Sequence, residues 1–154
     1  MKHELLVIGK VKDEFIAAGI QEYASRLIHY TGFSITCLKE RAKSKRKAVA
    51  GDQEGSLLLE AVSAGAIKVI LDPRGVQISS EQLAEKIRQW ENQAVKHICY
   101  LIGGPEGHSP NTLAAADFKL SLSKMTFTHD MARMLLVEQL YRAYTINAGE
   151  KYHK

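Results

Sequence analysis

The sequence predicts a three-layer α/β domain with a largely parallel sheet. Short apolar segments alternate with helix-like segments from one end to the other, and no repeat or low-complexity linker divides them. Hydrophobic residues make up 45% of the 154 positions, which is enough for one sizeable core. We therefore expect a single domain over residues 1–154.

The amino-terminal part of the chain supplies two strands with a helix between them. His3 to Ile8 and Phe33 to Leu38 are apolar, strand-like segments. Residues 13–28 have the spacing of an amphipathic helix, which connects two parallel strands in this class of fold. The apolar stripe of that helix consists of Ile16, Ile20, Tyr23 and Leu27.

A second helix and a third strand follow. Apolar residues predict a helix from Asp52 to Ser63, although Gly51 and Gly55 leave its start poorly defined. Lys68 to Leu71 is the third strand, and we expect it to end in a turn at Asp72 to Gly75 because proline and glycine occur close together there.

Two more elements have clear sequence signals. Ser79 and Gln82 form a capping-box pattern that starts a helix over residues 80–93. Phe118 to Ser123 alternates between apolar and polar residues, as a strand with two different faces does.

The most informative stretch follows the strand predicted at His97 to Ile102. Gly103 and Gly104 end that strand without β-carbons, so a ligand can lie against bare backbone at the edge of the sheet. Ser109 and Pro110 have the pattern of an N-cap and a first helical residue, whose free N–H groups point toward the same edge. The glycine spacing, G-G-x-x-G, is not that of dinucleotide-binding dehydrogenases, and this disfavours that class.

The last predicted helix, from His129 to Ile146, is apolar on most of its circumference. A helix of this kind is buried on most sides, either at the centre of the domain or at a subunit interface. We favour a homodimer formed through this helix. Lysine at Leu136 or Tyr141 is expected to split or unfold such a protein.

Charge and cysteine content limit the possible partners and the compartment. Residues 39–47 hold six of the 21 lysines and arginines but one of the 17 acids, so this segment contains the whole positive excess of the chain. Such a segment is either a solvated loop or a phosphate-binding surface for RNA. Cys37 and Cys99 lie in apolar runs without metal-ligand spacing, and we expect buried, reduced thiols and no metal. With no apolar run near the roughly 20 residues of a membrane span, a cytoplasmic protein is expected.

Five motifs in order resemble a known family. The chain is similar to the bacterial ribosomal large-subunit RNA pseudouridine N3-methyltransferases, which are small enzymes of the SPOUT class, and the resemblance extends from Met1 to Lys154. The motifs are Leu71-Asp72-Pro73-Arg74-Gly75, Leu101-Ile102-Gly103-Gly104-Pro105-Glu106-Gly107, the run from Leu120 to His129, Glu138-Gln139-Leu140-Tyr141-Arg142-Ala143, and Tyr152-His153-Lys154.

The resemblance implies a fold, a cofactor and a substrate. SPOUT enzymes tie the carboxyl-terminal part of the chain into a trefoil knot and bind S-adenosyl-L-methionine there, near the interface of a homodimer. The implied substrate is a pseudouridine of 23S rRNA within the assembled ribosome. The implied cofactor-binding residues are Leu71, Gly103, Gly104, Leu122, Ser123, Lys124, Met125, Thr126 and Phe127.

Methyl transfer from a sulfonium needs alignment of donor and acceptor and a group that removes or stabilises the N3 proton. The candidates are His129, Arg133, Tyr152 and His153. The alternative role for His129 is packing or capping, and the alternative for Arg133 is an interface ion pair. The short tail with Tyr152 and His153 is expected to close over the partner subunit's pocket. One difference from the family is Thr128, where a proline is common.

The basic residues Lys39, Arg41, Lys43, Lys45, Arg46 and Lys47 are the candidate RNA contacts. A second hypothesis uses the same residues in an RNA- or ribosome-binding module without catalysis. Such a module needs neither the Gly103-Gly104 strand end nor the loop at residues 122–127.

Overall fold

The computed structural model describes residues 1–39 and 47–154, with the backbone alone described for residues 47–51. Over these ranges, five strands alternate with five helices, as the sequence predicts. The strands are β1 (Lys2–Ile8), β2 (Gly32–Leu38), β3 (Ile67–Gln77), β4 (His97–Ile102) and β5 (Phe118–Ser121). The helices are α1 (Glu14–Leu27), α2 (Lys47–Glu60), α3 (Ser80–Asn92), α4 (Pro110–Ala114) and α5 (His129–Asn147).

The strands form one sheet in the order β2-β1-β4-β3-β5, and every pair is parallel. Each parallel connection requires a crossover, and the helices supply it. Because all strands run in the same direction, their carboxyl ends meet at one edge of the sheet, where α/β folds place ligands.

The two faces of the sheet carry separate apolar cores. Leu5 and Val7 of β1 point to a large core shared with α1, α3 and α5, whereas Leu6 and Ile8 point to a smaller core that includes Leu58 of α2. This alternation follows from the two-residue period of a strand. The result is the expected three-layer domain.

β3 departs from the prediction in a way that shapes the edge of the sheet. Leu71 and Val76 both pair with Leu120 of β5, so residues 72–75 form an excursion after which the strand resumes pairing. The predicted turn is present, but the prediction that the strand ends at Leu71 is wrong. Gly75 permits the close return, since a β-carbon there would lie 2.7 Å from the Lys119 carbonyl oxygen.

α5 is buried within this one chain. It packs against both α1 and α3, and Leu136 and Leu140 are fully buried in the larger core. This placement accounts for much of its nearly continuous apolar surface. Because Leu136 lies in the core, lysine at this position is expected to unfold the domain, so that substitution does not probe an interface.

The capping pattern predicts the start of α3 correctly, whereas the start of α2 is predicted too late. The capping box at Ser79 and Gln82 is formed, with the Ser79 hydroxyl accepting from the Gln82 N–H at 3.1 Å and the Gln82 side chain accepting from the Ser79 N–H at 2.8 Å. α2 begins at Lys47, before the predicted start at Asp52, even though it contains Gly51 and Gly55.

The cysteine prediction is confirmed for one residue of the two. Both thiols are free, and Cys99 is buried in the smaller core. Cys37 is exposed, because β2 is an edge strand that is incompletely covered, so the prediction of burial is wrong there. Among the described residues, no helix is both long and apolar enough to cross a membrane.

Candidate active site

A cavity of about 420 Å³ lies where the carboxyl ends of β3, β4 and β5 meet. Its volume is in the range of small-molecule sites, and its walls are mainly apolar. Three separate stretches of the chain line it. The first is Leu71–Pro73, and the second is Ile102–His108, of which only Glu106 does not line the cavity. The third lies between Leu120 and Ala132 and contributes Leu120, Leu122, Ser123, Met125, Thr126, Phe127, Thr128, His129 and Ala132.

The two glycines after β4 lie close to neighbouring side chains. A β-carbon on Gly104 would lie 2.6 Å from a carboxylate oxygen of Glu54, and one on Gly103 would lie 3.2 Å from the His108 ring. The prediction of bare backbone at this strand end therefore agrees with the geometry. A side chain at Gly104 would displace the Glu54 carboxylate, and one at Gly103 would press on the His108 ring, so glycine suits both positions.

α4 begins as predicted. The Ser109 hydroxyl accepts a hydrogen bond from the Thr112 N–H at 3.3 Å, and Pro110 occupies the first turn. This cap fixes the direction in which the chain leaves the cavity wall. Thr112 is itself 2% exposed, so the cap is buried with the helix it starts.

His108 connects the loop to the strand end. Its Nε2 accepts a hydrogen bond from the Gly103 N–H at 3.2 Å. Burial lowers the pKa of His108 below its usual value, partly opposed by the nearby Asp72 carboxylate. The ring thus remains a neutral acceptor, and it holds the glycine backbone in place.

The end of the first β3 segment is fixed by an ion pair. The Arg74 N–H and Nε both donate to Asp72 Oδ1, at 2.9 Å and 2.8 Å. The paired Arg74 side chain holds the pKa of the Asp72 carboxyl below its usual value. Asp72 is 6% exposed, so an ionised carboxylate, compensated by the Arg74 guanidinium, lies at the cavity wall.

The loop after β5 is braced by short-range hydrogen bonds. The Ser121 hydroxyl donates to the Ser123 carbonyl at 3.0 Å, and the Ser123 hydroxyl accepts from the Met125 N–H at 3.0 Å. Thr128 then caps α5 by accepting from the Met131 N–H at 3.2 Å. Thr128 therefore starts α5 with a hydrogen-bonded cap, at the position where the resemblance implies a proline.

Eight of the nine residues predicted to bind the cofactor line this one cavity. Lys124 does not: its side chain is exposed beside the loop. Met125 and Phe127 line the cavity but remain 75% and 39% exposed, which leaves apolar surface at its mouth. The structure thus brings together three strand ends that are far apart in the sequence.

The four candidate catalytic residues separate into two groups. His129 lines the cavity, and its Nε2 lies 3.6 Å from Asp130 Oδ1. Arg133, Tyr152 and His153 do not line it within this chain.

Arg133 is 2% exposed and caps the carboxyl end of β1. Its two terminal nitrogens donate to the Ile8 and Gly9 carbonyls at 2.7 Å and 2.8 Å, while Asp130 Oδ1 lies 3.9 Å away. The fork of the guanidinium matches two adjacent carbonyls. Arg133 is in this way tied to the sheet edge that carries the cavity.

The carboxyl-terminal tail is docked on α5. The Tyr152 hydroxyl donates to Glu138 at 3.0 Å, its ring lies 4.7 Å from that of Tyr141, and the Arg142 guanidinium lies over it at 4.8 Å. His153 Nε2 is 2.8 Å from Glu81 Oε1 on α3. Polar and aromatic contacts therefore order a tail that has little apolar content.

The candidate RNA contacts fall mainly outside the described residues. Arg41, Lys43, Lys45 and Arg46 are not described, and Lys47 is described by its backbone alone. Lys39 is exposed at the end of β2.

Two residues of the cavity wall, His108 and Asp72, are not among the site residues predicted from the sequence. The local signal for His108 was its position in the glycine loop, but its bond to Gly103 depends on how the loop folds back. For Asp72, the Asp-x-Arg spacing is the available signal, because a carboxylate and a guanidinium two residues apart can pair in a turn.

A parallel α/β sheet with a small-molecule cavity at the carboxyl ends of its strands defines a ligand-binding α/β protein of enzyme type. The chain matches the family described as "Predicted SPOUT methyltransferase" over residues 1–153. It belongs to the SPOUT methyltransferase family.

Individual relatives agree with this assignment. The chain is 59% identical over 154 residues to "Ribosomal RNA large subunit methyltransferase H" of Desulfotalea psychrophila, and 39% identical over 154 residues to the protein of the same name from Anaeromyxobacter sp. (strain K); each alignment covers 100% of both chains. Among solved structures, a "Probable Methyltransferase from Bordetella pertussis Tohama I" superposes with a TM-score of 0.55 at 12% identity, covering 93% of this chain and 96% of that one. The structural likeness at this identity shows a shared fold.

Proposed function

We propose that this methyltransferase transfers a methyl group from S-adenosyl-L-methionine to N3 of a pseudouridine in 23S rRNA on the assembled ribosome. The observation that carries the proposal is the cavity at the joined ends of β3, β4 and β5, in a chain that matches named large-subunit rRNA methyltransferases over its full length. The non-catalytic RNA-binding module is disfavoured, because such a module needs no cavity at this place.

The residues present fit this cofactor. Leu71, Leu120 and Leu122 offer apolar surface for the adenine ring, and the backbone of Gly103 and Gly104 offers N–H and C=O groups that no side chain covers. Asp72 places carboxylate oxygens at the wall, and because Arg74 compensates their charge they can accept hydrogen bonds from a bound ligand. S-adenosyl-L-methionine supplies an activated methyl group on a sulfonium, so the protein's main task is to align donor and acceptor.

The N3–H of the substrate must lose its proton for the nitrogen to act as a nucleophile. Within this chain His129 is our candidate for this role, and the support is that it lines the cavity from the first turn of α5. Asp130, 3.6 Å from the ring, stabilises the imidazolium that proton transfer would produce. Arg133, which lies near Asp130, contributes by holding the end of β1 in place.

Tyr152 and His153 act on the partner subunit's cavity in a homodimer. The face of α5 that carries Leu135 and Met131 is only half-buried, and Met125 and Phe127 add exposed apolar area at the mouth of the cavity. A second copy covers this surface. Replacing Leu135 by glutamate is expected to lower the sedimentation coefficient to that of a monomer, whereas Ile28→Glu, at a 57% exposed position directly after α1, leaves it unchanged.

Truncation after Glu150 tests the tail separately. We expect the truncated protein to keep its fold and its cofactor affinity while methyl transfer falls at least tenfold. Transfer at the wild-type rate would eliminate the role of Tyr152 and His153.

Residues 39–47 contact phosphates of the rRNA, which accounts for the position of the positive excess. Neutralising three of these bases is expected to weaken ribosome binding and to reduce its salt dependence, without changing cofactor affinity. A ribosomal substrate and the free thiols of Cys37 and Cys99 support a cytoplasmic location.

The carboxyl-terminal part of the chain forms a trefoil knot. The support for this is the course of β3, which pairs with β5 again at Val76 and Gln77 before entering α3. The segment from Leu122 to Thr128 leaves β5 beside this returning strand and leads to α5, which packs against α3. In the proposed knot, α5 passes through the loop that the returning part of β3 helps to form, so that the short segment from Leu122 to Thr128 is enough to connect β5 with α5.

The decisive experiment is transfer of a labelled methyl group from S-adenosyl-L-methionine to ribosomes that lack this modification, followed by mapping of the modified base. Label on N3 of one pseudouridine of 23S rRNA is the expected result. Cofactor binding without transfer of label would contradict the proposed substrate but would still agree with a methyltransferase. Absence of both would support the non-catalytic module.

A further inference from the structure

Three metal-ligating side chains of different kinds meet far from the cavity. Glu4 of β1 and Cys99 of β4 are register partners, and His97 precedes Cys99 by two residues, so all three lie on the α2 side of the sheet. They stand near the amino ends of the strands, opposite the edge that carries the cavity. Their ligating atoms all lie within 4.8 Å of one another. We propose that Glu4, His97 and Cys99 bind a divalent transition-metal ion of the zinc type.

The separations fit a tetrahedral site. His97 Nε2 lies 3.1 Å from Glu4 Oε2 and 3.8 Å from Cys99 Sγ. Ligands at about 2.0–2.3 Å from a tetrahedral zinc ion lie about 3.3 Å apart for nitrogen and oxygen and about 3.6 Å apart for nitrogen and sulfur. These two distances differ from the tetrahedral values by a few tenths of an ångström, whereas the Glu4 oxygen lies within 4.8 Å of Cys99 Sγ, so binding of the ion requires that pair to close by up to about 1 Å.

The surroundings resemble a built site. Cys99 is fully buried, whereas the side chains of His97 and Glu4 are 16% and 13% exposed, which leaves a path for an ion. The Thr36 hydroxyl donates to Glu4 Oε1 at 2.8 Å and orients the carboxylate so that Oε2 faces His97. Ser34, the register partner of Glu4 on β2, has a buried hydroxyl with no hydrogen-bond partner among the described residues. A water at the fourth coordination position would give it one.

The local charges are compatible with a dication. When the ion binds, the Cys99 thiol releases its proton to solvent, and His97 coordinates as a neutral imidazole. A thiolate and a carboxylate then balance two positive charges. Lys2 and Lys68 are the cations that act on the Cys99 thiol, and Lys68 Nζ is paired with Asp117 at 3.0 Å. A sulfur ligand selects zinc or cobalt over magnesium or calcium.

Sequence spacing could not reveal this cluster, because its ligands come from two strands that are far apart in the chain. The ion would join β1 to β4 at the end of the sheet away from the cavity. Its effect is therefore on the stability of the domain, and the proposal does not depend on methyl transfer.

Cobalt is the sharpest probe, because a thiolate ligand gives it a charge-transfer absorption band. Protein freed of metal with a chelator is expected to develop this band with one Co²⁺ per chain, and Zn²⁺ should abolish the band and raise the melting temperature. Cys99→Ser should lose the band, and Glu4→Gln should weaken Co²⁺ binding roughly tenfold or more. Cys37→Ser is the matched control, since that cysteine is exposed and lies on the other face of the sheet, and it should keep the band.

Absence of a thiolate band in the wild-type protein would overturn the site. A band that persists in Cys99→Ser or disappears in Cys37→Ser would do the same. Should Cys99→Ser fail to fold, the wild-type, Cys37→Ser and Glu4→Gln titrations still decide, because a band with unchanged Co²⁺ affinity in Glu4→Gln would exclude the proposed ligand set.

Discussion

His3 and Tyr144 are joined by a hydrogen bond of 2.8 Å between Nε2 and the phenol oxygen, which connects the first strand to the last helix. The other ring nitrogen of His3 lies 2.9 Å from the Tyr100 phenol oxygen. The ring is fully buried, and burial lowers the pKa of His3 to about 3. A neutral imidazole between two phenols thus lies at the centre of the larger core.

This arrangement predicts acid sensitivity of folding. In the unfolded chain His3 takes up a proton near its ordinary pKa of 6.5, whereas in the native state it does so only near pH 3. The stabilisation is complete above pH 6.5 and declines between pH 6.5 and about 3, by up to roughly 1.4 kcal/mol per pH unit. Urea unfolding at a series of pH values should show this slope, and His3→Gln should flatten it.

The exposed His29 provides the matched control, since His29→Gln should leave the slope unchanged. An equally steep pH dependence in His3→Gln would show that other groups cause it.

His108 is expected to control cofactor affinity through the Gly103 backbone. His108→Leu removes the acceptor and leaves a buried N–H unpaired, which costs about 1–3 kcal/mol and should weaken S-adenosyl-L-methionine binding about tenfold or more. His108→Asn provides a carbonyl acceptor and should recover part of the loss. Calorimetric titration measures both, and Asn111→Leu on the exposed side of α4 should bind normally. Normal affinity in His108→Leu would contradict this role.

Arg133 is expected to contribute strongly to stability. Arg133→Lys keeps the charge but cannot donate to two carbonyls with the same fork, so we expect a loss of about 2–4 kcal/mol in the free energy of unfolding. Arg142→Lys, in a half-buried pair with Glu138, should cost about 1 kcal/mol or less. If Arg133→Lys unfolds like the wild type but transfers methyl groups slowly, its role is at the substrate and the carbonyl contacts are secondary.

The capping box at the start of α3 gives a prediction about local structure. Ser79→Ala should lower the free energy of unfolding by about 1 kcal/mol, because the Gln82 N–H loses its acceptor. Denaturant unfolding checks this, with Ser56→Ala on the exposed surface of α2 as a control that should cost nothing. An unchanged midpoint for Ser79→Ala would mean that the cap is replaced by water at no cost.

Predictions from the sequence succeeded where the signal is local. The Ser79 cap, the Ser109–Pro110 helix start and the glycines at the end of β4 depend on neighbouring residues, and the structure contains all three. Interactions between distant segments were not predictable. The bonds from Arg133 to Ile8 and Gly9 join opposite ends of the chain, and no spacing rule indicates them.

The β3 prediction failed for a related reason. The sequence Asp72 to Gly75 has the composition of a turn, and a turn is present, but pairing with β5 decides that the strand continues. Register with a segment far along the chain is a tertiary effect that overrides the local signal. Likewise, the exposure of Cys37 follows from the edge position of β2, which hydrophobic pattern alone does not determine.

The order in which the chain is synthesised determines when the cavity can form. β1 needs β4 as a neighbour, and the cavity needs residues up to Ala132 of α5. While the last helix is still in the exit tunnel, the nascent chain has strands to pair but neither a finished cavity nor Tyr144 to meet His3. A chain that stops before Ala132 therefore lacks part of the cavity wall and gains no stabilisation from the cofactor.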